Sequence, residues 1–297
     1  MDHRPPLLLS IDFEDWHQLV HRRLGRADWD RPNAAFPPQV HAVLDLLDEI
    51  GARATFFLLG MTVANYPELG REIVDRGHEP ASHGFAHIRV HEQTRDAFRS
   101  DVERSVDVIE RVTGRRPVAY RAPAFSINRR TPWAYDVLAE LGFRCDSSQY
   151  DSPRIADRIG GIPDTPYRLR VGDAGEIWEL PVATWGPVPI GGGSYWRVLP
   201  TGLIRRGLRE FRVLYFHPYE FAPQPLRATL PPSPGVRRRA VAAGRSAWRN
   251  AGRGLVARRL RQVARAYRLV SYDQAYDDVA RRYGTRTRAL SQEGVLV

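Results

Sequence analysis

The sequence has few of the features that stabilise secreted or membrane-spanning proteins. Its 297 residues include a single cysteine, Cys145, which cannot form an internal disulfide, so nothing requires an oxidising compartment. No apolar run approaches the roughly 20 residues of a membrane-spanning helix. The first apolar run is interrupted by Asp12, Glu14 and Asp15, and we interpret the N-terminus as lacking a signal peptide. We therefore expect a cytoplasmic protein and leave peripheral membrane contact open.

Lysine is absent, so all 44 basic residues are arginines and the net charge is +10. Such a charge is compatible with an acidic polymer, a phosphate-linked sugar or a membrane face. A GC-rich genome explains the arginine excess more simply, and we favour a mostly solvated surface charge. The Arg-rich stretch 236–267 is predicted to be helical, with a break near Gly252 and Gly254. It contains no recognised nucleic-acid-binding motif, so we expect no nucleic-acid partner.

Apolar runs alternate with segments of helical period along most of the chain. The clearest are strands at 7–13, 54–59 and 213–217 and helices at 37–50 and 95–112. This alternation predicts an α/β protein with a parallel sheet or barrel. Without repeats or a linker, we predict one domain over residues 1–297, with a core from about 7 to 280. Residues 150–200, rich in Gly, Pro and Tyr, are predicted to form an elaborated loop region whose clear strand is 177–182.

Polar side chains cluster where the predicted strands end, which is where barrel enzymes build active sites. The first strand ends in Asp12, Glu14 and Asp15, three carboxylates whose repulsion a metal would relieve. His83 and His87, four residues apart, predict one face of a helical turn and a shared cation. One carboxylate and two imidazoles leave coordination positions open, as in catalytic sites. A second carboxylate would then serve as general base.

Two more strand ends carry residues suited to the same chemistry. Arg121 follows a short strand and can pair with a carboxylate and hold it in place. His217, at the end of the strand 213–217, can protonate a leaving amine. Taken singly, these two residues are better explained as an ordinary surface arginine and a buried core histidine, so their functional interpretation depends on the other motifs.

In this order, the motifs resemble those of the polysaccharide deacetylases, the carbohydrate esterase family with NodB homology. The resemblance covers residues 7–280 and rests on the blocks Asp12-Phe-Glu-Asp15, Ala54-Thr-Phe-Phe-Leu-Leu-Gly60, His83-Gly-Phe-Ala-His87, Arg121-Ala-Pro123 and Leu214-Tyr-Phe-His217-Pro218. The segments 142–148 and 191–200 are similar to a subgroup near the allantoinase-like and peptidoglycan-deacetylase-like branch, which often accompanies exopolysaccharide synthesis loci.

The resemblance implies a distorted (β/α)7 barrel of NodB-homology type. It also implies a hydrolase that removes N-acetyl groups from amino sugars of a polysaccharide or its glycan precursor, free or linked to a lipid or nucleotide. Asp12 would be the general base, held by Arg121, and His217 the general acid. His83 and His87 would bind a divalent metal, usually zinc in this family.

The sequence leaves the carboxylate ligand of the metal open. Strand alternation places Asp12 and Glu14 on one face, which favours Glu14. A turn at the strand end, and the rarity of Glu as a ligand in the family, favour Asp15. The aspartate that usually tunes the acid histidine has no clear equivalent in the segment 178–185, where Glu179 is the candidate substitute.

Substrate contacts are predicted at Pro123 of the third motif and at Trp185 and Tyr195, whose rings could stack on sugars. Two other functions compete with a deacetylase. One is an amidohydrolase of the same fold that opens a cyclic ureide or imide, because fold does not determine substrate. The other is a sugar-binding protein whose catalytic site has decayed, and such a site should hold no metal.

Overall fold

The apolar run 7–13 forms the central strand of a mostly parallel sheet. The computed structural model describes residues 2–151, 157–172, 175–227, 229–230, 235–291 and 295–297. In chain order the strands are β1 (Pro6–Phe13), β2 (Thr55–Leu58), β3 (Glu79–Ser82), β4 (Ala119–Tyr120), β5 (Cys145–Asp146), β6 (Tyr167–Val171), β7 (Gly175–Glu179), β8 (Thr184–Trp185), β9 (Val188–Pro189), β10 (Val213–Phe216), β11 (Arg268–Val270) and β12 (Thr287–Ala289).

Helices connect most of these strands and cover the sheet. They are α1 (Trp16–Arg23), α2 (Phe36–Glu49), α3 (Gly60–Asn65), α4 (Pro67–Asp75), α5 (Arg95–Thr113), α6 (Trp133–Glu140), α7 (Tyr195–Val198), α8 (Thr201–Gly207), α9 (Val236–Asn250), α10 (Gly254–Ala266) and α11 (Tyr272–Tyr283). Within the described residues, none of the helices combines the length and apolar character needed to cross a bilayer.

The sheet closes into a ring. Hydrogen-bonded strands follow the order β10-β1-β2-β3-β4-β5-β7-β6-β12, and β11 also pairs with β1. Pairing in this sheet is parallel except between β6 and β7. A parallel bridge between Val182, just after β7, and Val213 of β10 joins the two sides. The ring β1-β2-β3-β4-β5-β7-β10 thus has seven members among the described residues, and the predicted distorted barrel is confirmed.

Helix α2 illustrates how the apolar pattern produces the packing. Val40, Val43, Leu44 and Leu47 recur at helical spacing and are fully buried against the outside of the barrel. Burying such side chains stabilises the fold by about 1.5–3 kcal/mol each relative to exposure. The helix predicted at 37–50 is therefore confirmed, to within one residue at either end.

The region 150–200 is more regular than the sequence suggested. An antiparallel hairpin of β6 and β7 adds to the sheet, and β8 and β9 form a second, small hairpin. The missed signal is the alternation in β6, where Tyr167, Leu169 and Val171 are buried and Arg168 and Arg170 lie on the other face. Every second residue of β6 is apolar, but the arginines between them made this pattern hard to recognise in the sequence.

The Arg-rich stretch 236–267 forms α9 and α10, as predicted, with a break between Asn250 and Gly254. Gly252 adopts a positive φ of 68° at this break. A Cβ there would lie 2.6 Å from the backbone oxygen of Arg197, so the close approach of α9 to that residue requires glycine. The break thereby holds the end of α9 against the segment around Arg197.

Candidate active site and metal centre

The predicted site residues converge at the carboxyl-terminal edge of the barrel. Asp12 and Glu14 lie at the end of β1, and His83, Arg121 and His217 directly follow β3, β4 and β10. Since these strands run parallel, their carboxyl ends meet at one edge. The structure thus brings together side chains that are up to 205 positions apart in the sequence (217 − 12).

Glu14 lies between two imidazoles. Its Oε1 atom is 2.8 Å from Nε2 of His83 and 2.9 Å from Nε2 of His87. Burial alone would raise the pKa of the Glu14 carboxyl, but the charge of His87 and hydrogen bonds from both imidazoles hold it well below its usual range. Potential ligand atoms of all three residues lie within 4.8 Å of one another. One carboxylate and two imidazoles of this geometry fit a divalent cation.

The orientation of His83 supports this fit. Its Nδ1 lies 2.7 Å from the backbone oxygen of Arg121, an acceptor to which Nδ1–H donates. The tautomer protonated at Nδ1 leaves the lone pair of Nε2 directed towards Glu14, as expected for a histidine ligand. The backbone carbonyl of Arg121, after β4, therefore orients the imidazole of His83, after β3.

The loop that carries the two histidines is not helical, so the predicted helical turn at 83–87 is wrong. Residues 83–87 leave β3 as an irregular loop in which Gly84 has a φ of 72° and His87 a φ of 52°. Asp101 of α5 accepts hydrogen bonds from the backbone N–H groups of Phe85 and Ala86, at 2.8 and 3.0 Å. A Cβ on Gly84 would lie 2.8 Å from the same carboxylate. The loop bends tightly around Asp101, and this bend brings His87 back to Glu14.

Asp15 has a different place. One carboxylate oxygen accepts a hydrogen bond from the backbone N–H of His17 at 2.9 Å and caps the N-terminus of α1. The other accepts from the hydroxyl of Tyr66 at 3.1 Å. Among the described residues, Asp15 belongs to neither group of potential metal ligands. Of the two alternatives left open by the sequence, the structure places Glu14 beside the histidines and uses Asp15 as a helix cap.

Asp12 is held by Arg121. The guanidinium NH1 donates to Oδ1 of Asp12 at 2.7 Å, and the arginine is fully buried. Other guanidinium donors bond to Ser10, Ser147 and Tyr272 at 2.9–3.0 Å, and Phe57 stacks 4.1 Å from the guanidinium carbon. Burial would lower the pKa of Arg121, but the charge of Asp12 outweighs it and raises the pKa, so the buried guanidinium keeps its charge.

His217, at the end of the neighbouring strand β10, also faces Glu14. Its Nε2 is 3.9 Å from Oε2 of Glu14, and its ring stacks on Tyr219. Asp12, Glu14 and His217 also form a second group of potential ligands within 4.8 Å. Burial lowers the pKa of His217, but the hydrogen bond with Glu220 and the charges of Glu14, Glu220 and Asp12 outweigh it and raise the pKa.

Glu220 supports His217, and the sequence reasoning missed it. Its Oε2 lies 3.3 Å from Nδ1 of His217 and accepts from the backbone N–H of that residue at 3.0 Å. The carboxylate is almost fully buried, and its Oε1 faces Nε of the buried Arg197 at 3.7 Å. The available signal was the spacing of Glu220, three residues after His217, because Pro218 begins a short helical turn between them.

Glu179, the candidate substitute, does not contact His217. It accepts hydrogen bonds from Tyr135 and from the backbone N–H of Gln149, at 3.2 and 3.1 Å, and interacts with Asp146. Burial and the charge of Asp146 raise the pKa of Glu179 well above its usual range. This carboxyl pair is buried and, in the described contacts, does not reach the acid histidine.

A cavity of about 240 Å³ lies over the site. Its wall includes Asp12, Glu14, His87 and His217, and its remaining lining is Trp16, Leu19, Val20, Arg23, Ala124, Phe125, Ser194, Tyr215, Tyr219, Arg245 and Arg249. The predicted substrate contacts Pro123, Trp185 and Tyr195 are not among the described residues that line it. The neighbours Ala124 and Ser194 do line it, whereas Trp185 is 45% exposed on β8.

Two family models match this chain. Residues 30–145 match the model described as polysaccharide deacetylase, and residues 148–276 match a domain of unknown function, DUF3473. A peptidoglycan deacetylase of Helicobacter pylori is 30% identical over 132 residues, which are 44% of this chain and 41% of the relative. A peptidoglycan-N-acetylglucosamine deacetylase of Bacillus cereus is 28% identical over 35% of this chain and 38% of the relative. The chain spans less than half the length of these curated relatives.

Solved structures with this fold cover almost the whole chain. A crystal structure from Mycobacterium smegmatis assigned to the polysaccharide deacetylases is 25% identical, covers 96% of this chain and 94% of its own, and gives a TM-score of 0.63. The peptidoglycan deacetylase PdaC of Bacillus subtilis, 15% identical with 95% of each chain covered, shares the fold with a TM-score of 0.52. So does a mutant of a family 4 carbohydrate esterase pseudoenzyme, at 11% identity, 92% and 68% coverage and a TM-score of 0.51. Since the fold also occurs in a pseudoenzyme, activity has to be argued from side chains. The barrel, the motifs at its strand ends and these matches together identify residues 30–145 as a segment of polysaccharide deacetylase type, within a chain whose fold is shared with the NodB-homology deacetylases.

Proposed function

We propose that this chain is a divalent-cation-dependent hydrolase that removes N-acetyl groups from amino sugars of a polysaccharide or its glycan precursor. The observation that carries the proposal is the convergence of three groups on one cavity: Glu14 with two histidines, Asp12 with Arg121, and His217 with Glu220. Each of them supplies something that amide hydrolysis needs.

Glu14, His83 and His87 would hold the cation. When bound, a divalent cation there would lower the pKa of water and polarise the acetamide oxygen. Nitrogen and carboxylate ligands suit zinc, and we propose zinc as the resident metal. The side chains themselves provide the geometry, because the hydrogen bond from His83 to the Arg121 carbonyl and the tight loop at Gly84 hold both imidazoles towards one point.

The proton transfers fall to two residues of the cavity wall. Asp12, held in place by Arg121, takes a proton from the attacking water as general base. His217, which also faces Glu14, gives a proton to the departing amine. The carboxylate of Glu220 holds Nδ1 of His217, so Nε2 carries the proton that is transferred. The products are acetate and a free amino sugar.

The glycan itself is the broadest part of the proposal. The curated relatives carry names of peptidoglycan deacetylases, and an N-acetylated oligo- or polysaccharide is therefore the substrate class that we propose. A role in exopolysaccharide synthesis at the cytoplasmic side of the membrane, on a lipid- or nucleotide-linked precursor, remains a prediction from the sequence.

Acetate release tests the proposal directly. The purified chain, loaded with Zn²⁺, is incubated with N-acetylglucosamine oligosaccharides of two to six units, and acetate is quantified. We expect release that stops on dialysis against a chelator and returns when Zn²⁺ is added back. Asp12→Asn should abolish release, whereas Asp15→Asn, which keeps an oxygen that can cap α1, should retain it.

The same preparation distinguishes the competing functions. Ring opening of a cyclic ureide without acetate release would assign the site to the alternative amidohydrolase. Failure to retain any divalent metal after dialysis, together with glycan binding, would assign it to a sugar-binding protein. Either result would overturn the proposal.

A further inference from the structure

Opposite the proposed metal centre, the cavity wall is basic. Arg23, at the end of α1, and Arg245 and Arg249, on α9, line the same cavity as Asp12 and Glu14. An adjoining groove shares Arg23 and Arg245 and adds Arg22 and Arg89. Arg245 and Arg249 are four residues apart, so they lie on one face of α9. The Arg-rich helix therefore turns part of its charge towards the site.

Neighbouring carboxylates do not neutralise the arginines of this cavity. Arg76 binds Asp45, Asp48 and Glu72, and Arg261 binds Glu49. Within the described part of the chain, by contrast, no carboxylate lies within 4.0 Å of Arg23 or Arg245. Arginines without a carboxylate partner also occur elsewhere on the surface, so it is the position of these two in the wall that contains Asp12 and Glu14 that points to a ligand.

Arg249 is also without a carboxylate partner among the described residues. Its guanidinium donates to the hydroxyl groups of Tyr219 and Ser194. The carboxylates on the site side leave no charge for the arginines, since Arg121 neutralises Asp12 and a divalent cation would more than neutralise Glu14. The charge on the arginine side therefore has no counterpart within the described cavity wall.

Keeping these arginines close together has an energetic cost. Desolvation and the positive charges of Arg245 and Arg89 lower the pKa of Arg23. Hydrogen bonds also hold the helix α9 that carries Arg245 and Arg249 in place. Arg197, in contact with Glu220, donates to the backbone oxygens of Trp248 and Arg249 at 2.6 and 2.9 Å, which fixes the end of α9 over the cavity. The helix that carries the charges is thus attached to the residue that supports His217.

A ligand that relieves this repulsion carries oxyanions. The planar guanidinium binds carboxylate and phosphate through paired hydrogen bonds. With the acetamide at Asp12, Glu14 and His217, the neighbouring part of the glycan lies against Arg23 and Arg245. We propose that the substrate is an N-acetylated amino sugar with a carboxylate or phosphate on the adjacent unit, and that Arg23 and Arg245 bind this group. The proposal rests on the deacetylase function proposed above.

Three defined probes test it by acetate release at low ionic strength. The neutral probe is chitotetraose. The carboxylate probe is a tetrasaccharide of alternating N-acetylglucosamine and glucuronate. The phosphate probe is N-acetylglucosamine linked to a nucleoside diphosphate. We expect kcat/KM for at least one charged probe to exceed that for the neutral probe at least tenfold. The preference should shrink as salt is added, because salt screens charge pairs.

Variants locate the preference on the arginines. Arg23→Gln and Arg245→Gln should each lower the ratio of charged to neutral kcat/KM at least fivefold, and Arg245→Glu should lower it further. Arg237→Gln is the matched control, since Arg237 is an exposed arginine of the same helix that does not line the cavity. Circular dichroism checks that all variants are folded.

Calorimetric binding of the same probes separates this inference from the proposed function. Arginine-dependent binding of a charged probe without any acetate release would support the anion site and overturn the deacetylase. Equal acetate release from neutral and charged probes, unchanged in an Arg23→Gln/Arg245→Gln double variant, would overturn the anion site and keep the deacetylase. Loss of binding to phosphatidylglycerol vesicles in that variant, with unchanged probe selectivity, would assign the arginines to a membrane surface and also overturn the inference.

Discussion

The two parts of the chain on either side of residue 148 contribute to one site in different ways. The first part contributes Asp12, Glu14, His83, His87 and Arg121, all of them within two residues of a strand end or in the loop that follows. The second part contributes His217 from a strand end, but also Glu220, Arg245 and Arg249 from helical segments. In the first part, short motifs already define the chemistry. In the second, the chemistry depends on how helices pack against the barrel.

One carboxylate of the first part, that of Glu79, makes hydrogen bonds to the second part, and we call this contact the joint. Glu79 of β3 accepts hydrogen bonds from the backbone N–H groups of Tyr272 and Asp273, at 3.0 and 3.1 Å, at the start of α11. The hydroxyl of Tyr272 in turn accepts a hydrogen bond from Arg121 at 3.0 Å. The base side of the site therefore depends on a residue from the second part.

The largest expected effects compare one proton-transfer residue from each part. Asp12→Asn and His217→Gln should each lower kcat by about 10²–10⁴-fold, because each removes a general acid or base. Combining them should cost less than the product of the two effects, since the residues act in one reaction. Steady-state acetate release on one substrate measures all three. Near-normal turnover in His217→Gln would show that the second part supplies no acid.

The next effect concerns the metal and only the first part. Glu14→Gln should lower zinc affinity at least a hundredfold, because it replaces a charged ligand. For comparison, removing residues that merely support ligands costs about 10–100-fold. Asp15→Asn is the matched control and should bind zinc normally with little change in the free energy of unfolding, because asparagine caps a helix about as well as aspartate. Competition with a chromogenic chelator measures affinity. The reverse pattern would make Asp15 the ligand.

Glu220→Gln, in the second part, should have a smaller effect on kcat than His217→Gln. We expect kcat to fall about 10–100-fold, with KM and metal content unchanged, because Glu220 acts through His217. Glu220 helps to raise the pKa of His217, and a general acid must be protonated. The alkaline limb of the kcat profile should therefore move to lower pH in the variant. Glu220→Asp should restore part of the rate, and an unchanged limb would mean that Glu220 has only a structural role.

The smallest effect on turnover is expected for Glu79→Gln at the joint. The quantity measured there is the free energy of unfolding. Burial and the charge of Asp273 raise the pKa of Glu79 to about 7 from an ordinary value of 4.5. Because the folded state holds this proton more tightly, the contribution is fully present below pH 4.5 and is lost as pH rises through 7. At 1.36 kcal/mol per pKa unit, about 3 kcal/mol should be lost relative to Glu79→Gln.

Urea unfolding of both proteins at pH 4.5, 6 and 7.5 measures this difference. The wild-type protein should lose stability relative to Glu79→Gln across the window, since glutamine does not titrate. Parallel stability profiles would mean that Glu79 is ionised in the fold, stabilised by its three hydrogen-bond donors.

The sequence predicted what local patterns encode. The stripe of α2, the strand 7–13 and the order of the motifs gave the barrel and the residues at its edge. It could not distinguish Glu14 from Asp15, because alternation continues only to the last residue of the strand, and the choice depends on where α1 begins. It also misjudged 83–87, since the bend there depends on Asp101, sixteen residues beyond Phe85.

The second part was harder to predict for a physical reason. Glu220 matters because Arg197, 23 positions earlier, and the turn after His217 hold it against the imidazole (220 − 197). Arg245 and Arg249 resemble a solvated helical face, and only the packing of α9 turns them towards the cavity. Trp185 is exposed on β8 outside the described lining of this cavity, so its contact with a glycan stays a prediction.

The most direct test of the account is the position of the metal. Anomalous diffraction at the zinc edge, from crystals of the zinc-loaded chain, would locate the ion independently of activity. We expect one strong peak about 2.0–2.2 Å from ligand atoms of Glu14, His83 and His87, at the cavity floor between Asp12 and His217. A peak bound by Asp15, or one away from the two histidines, would contradict the account.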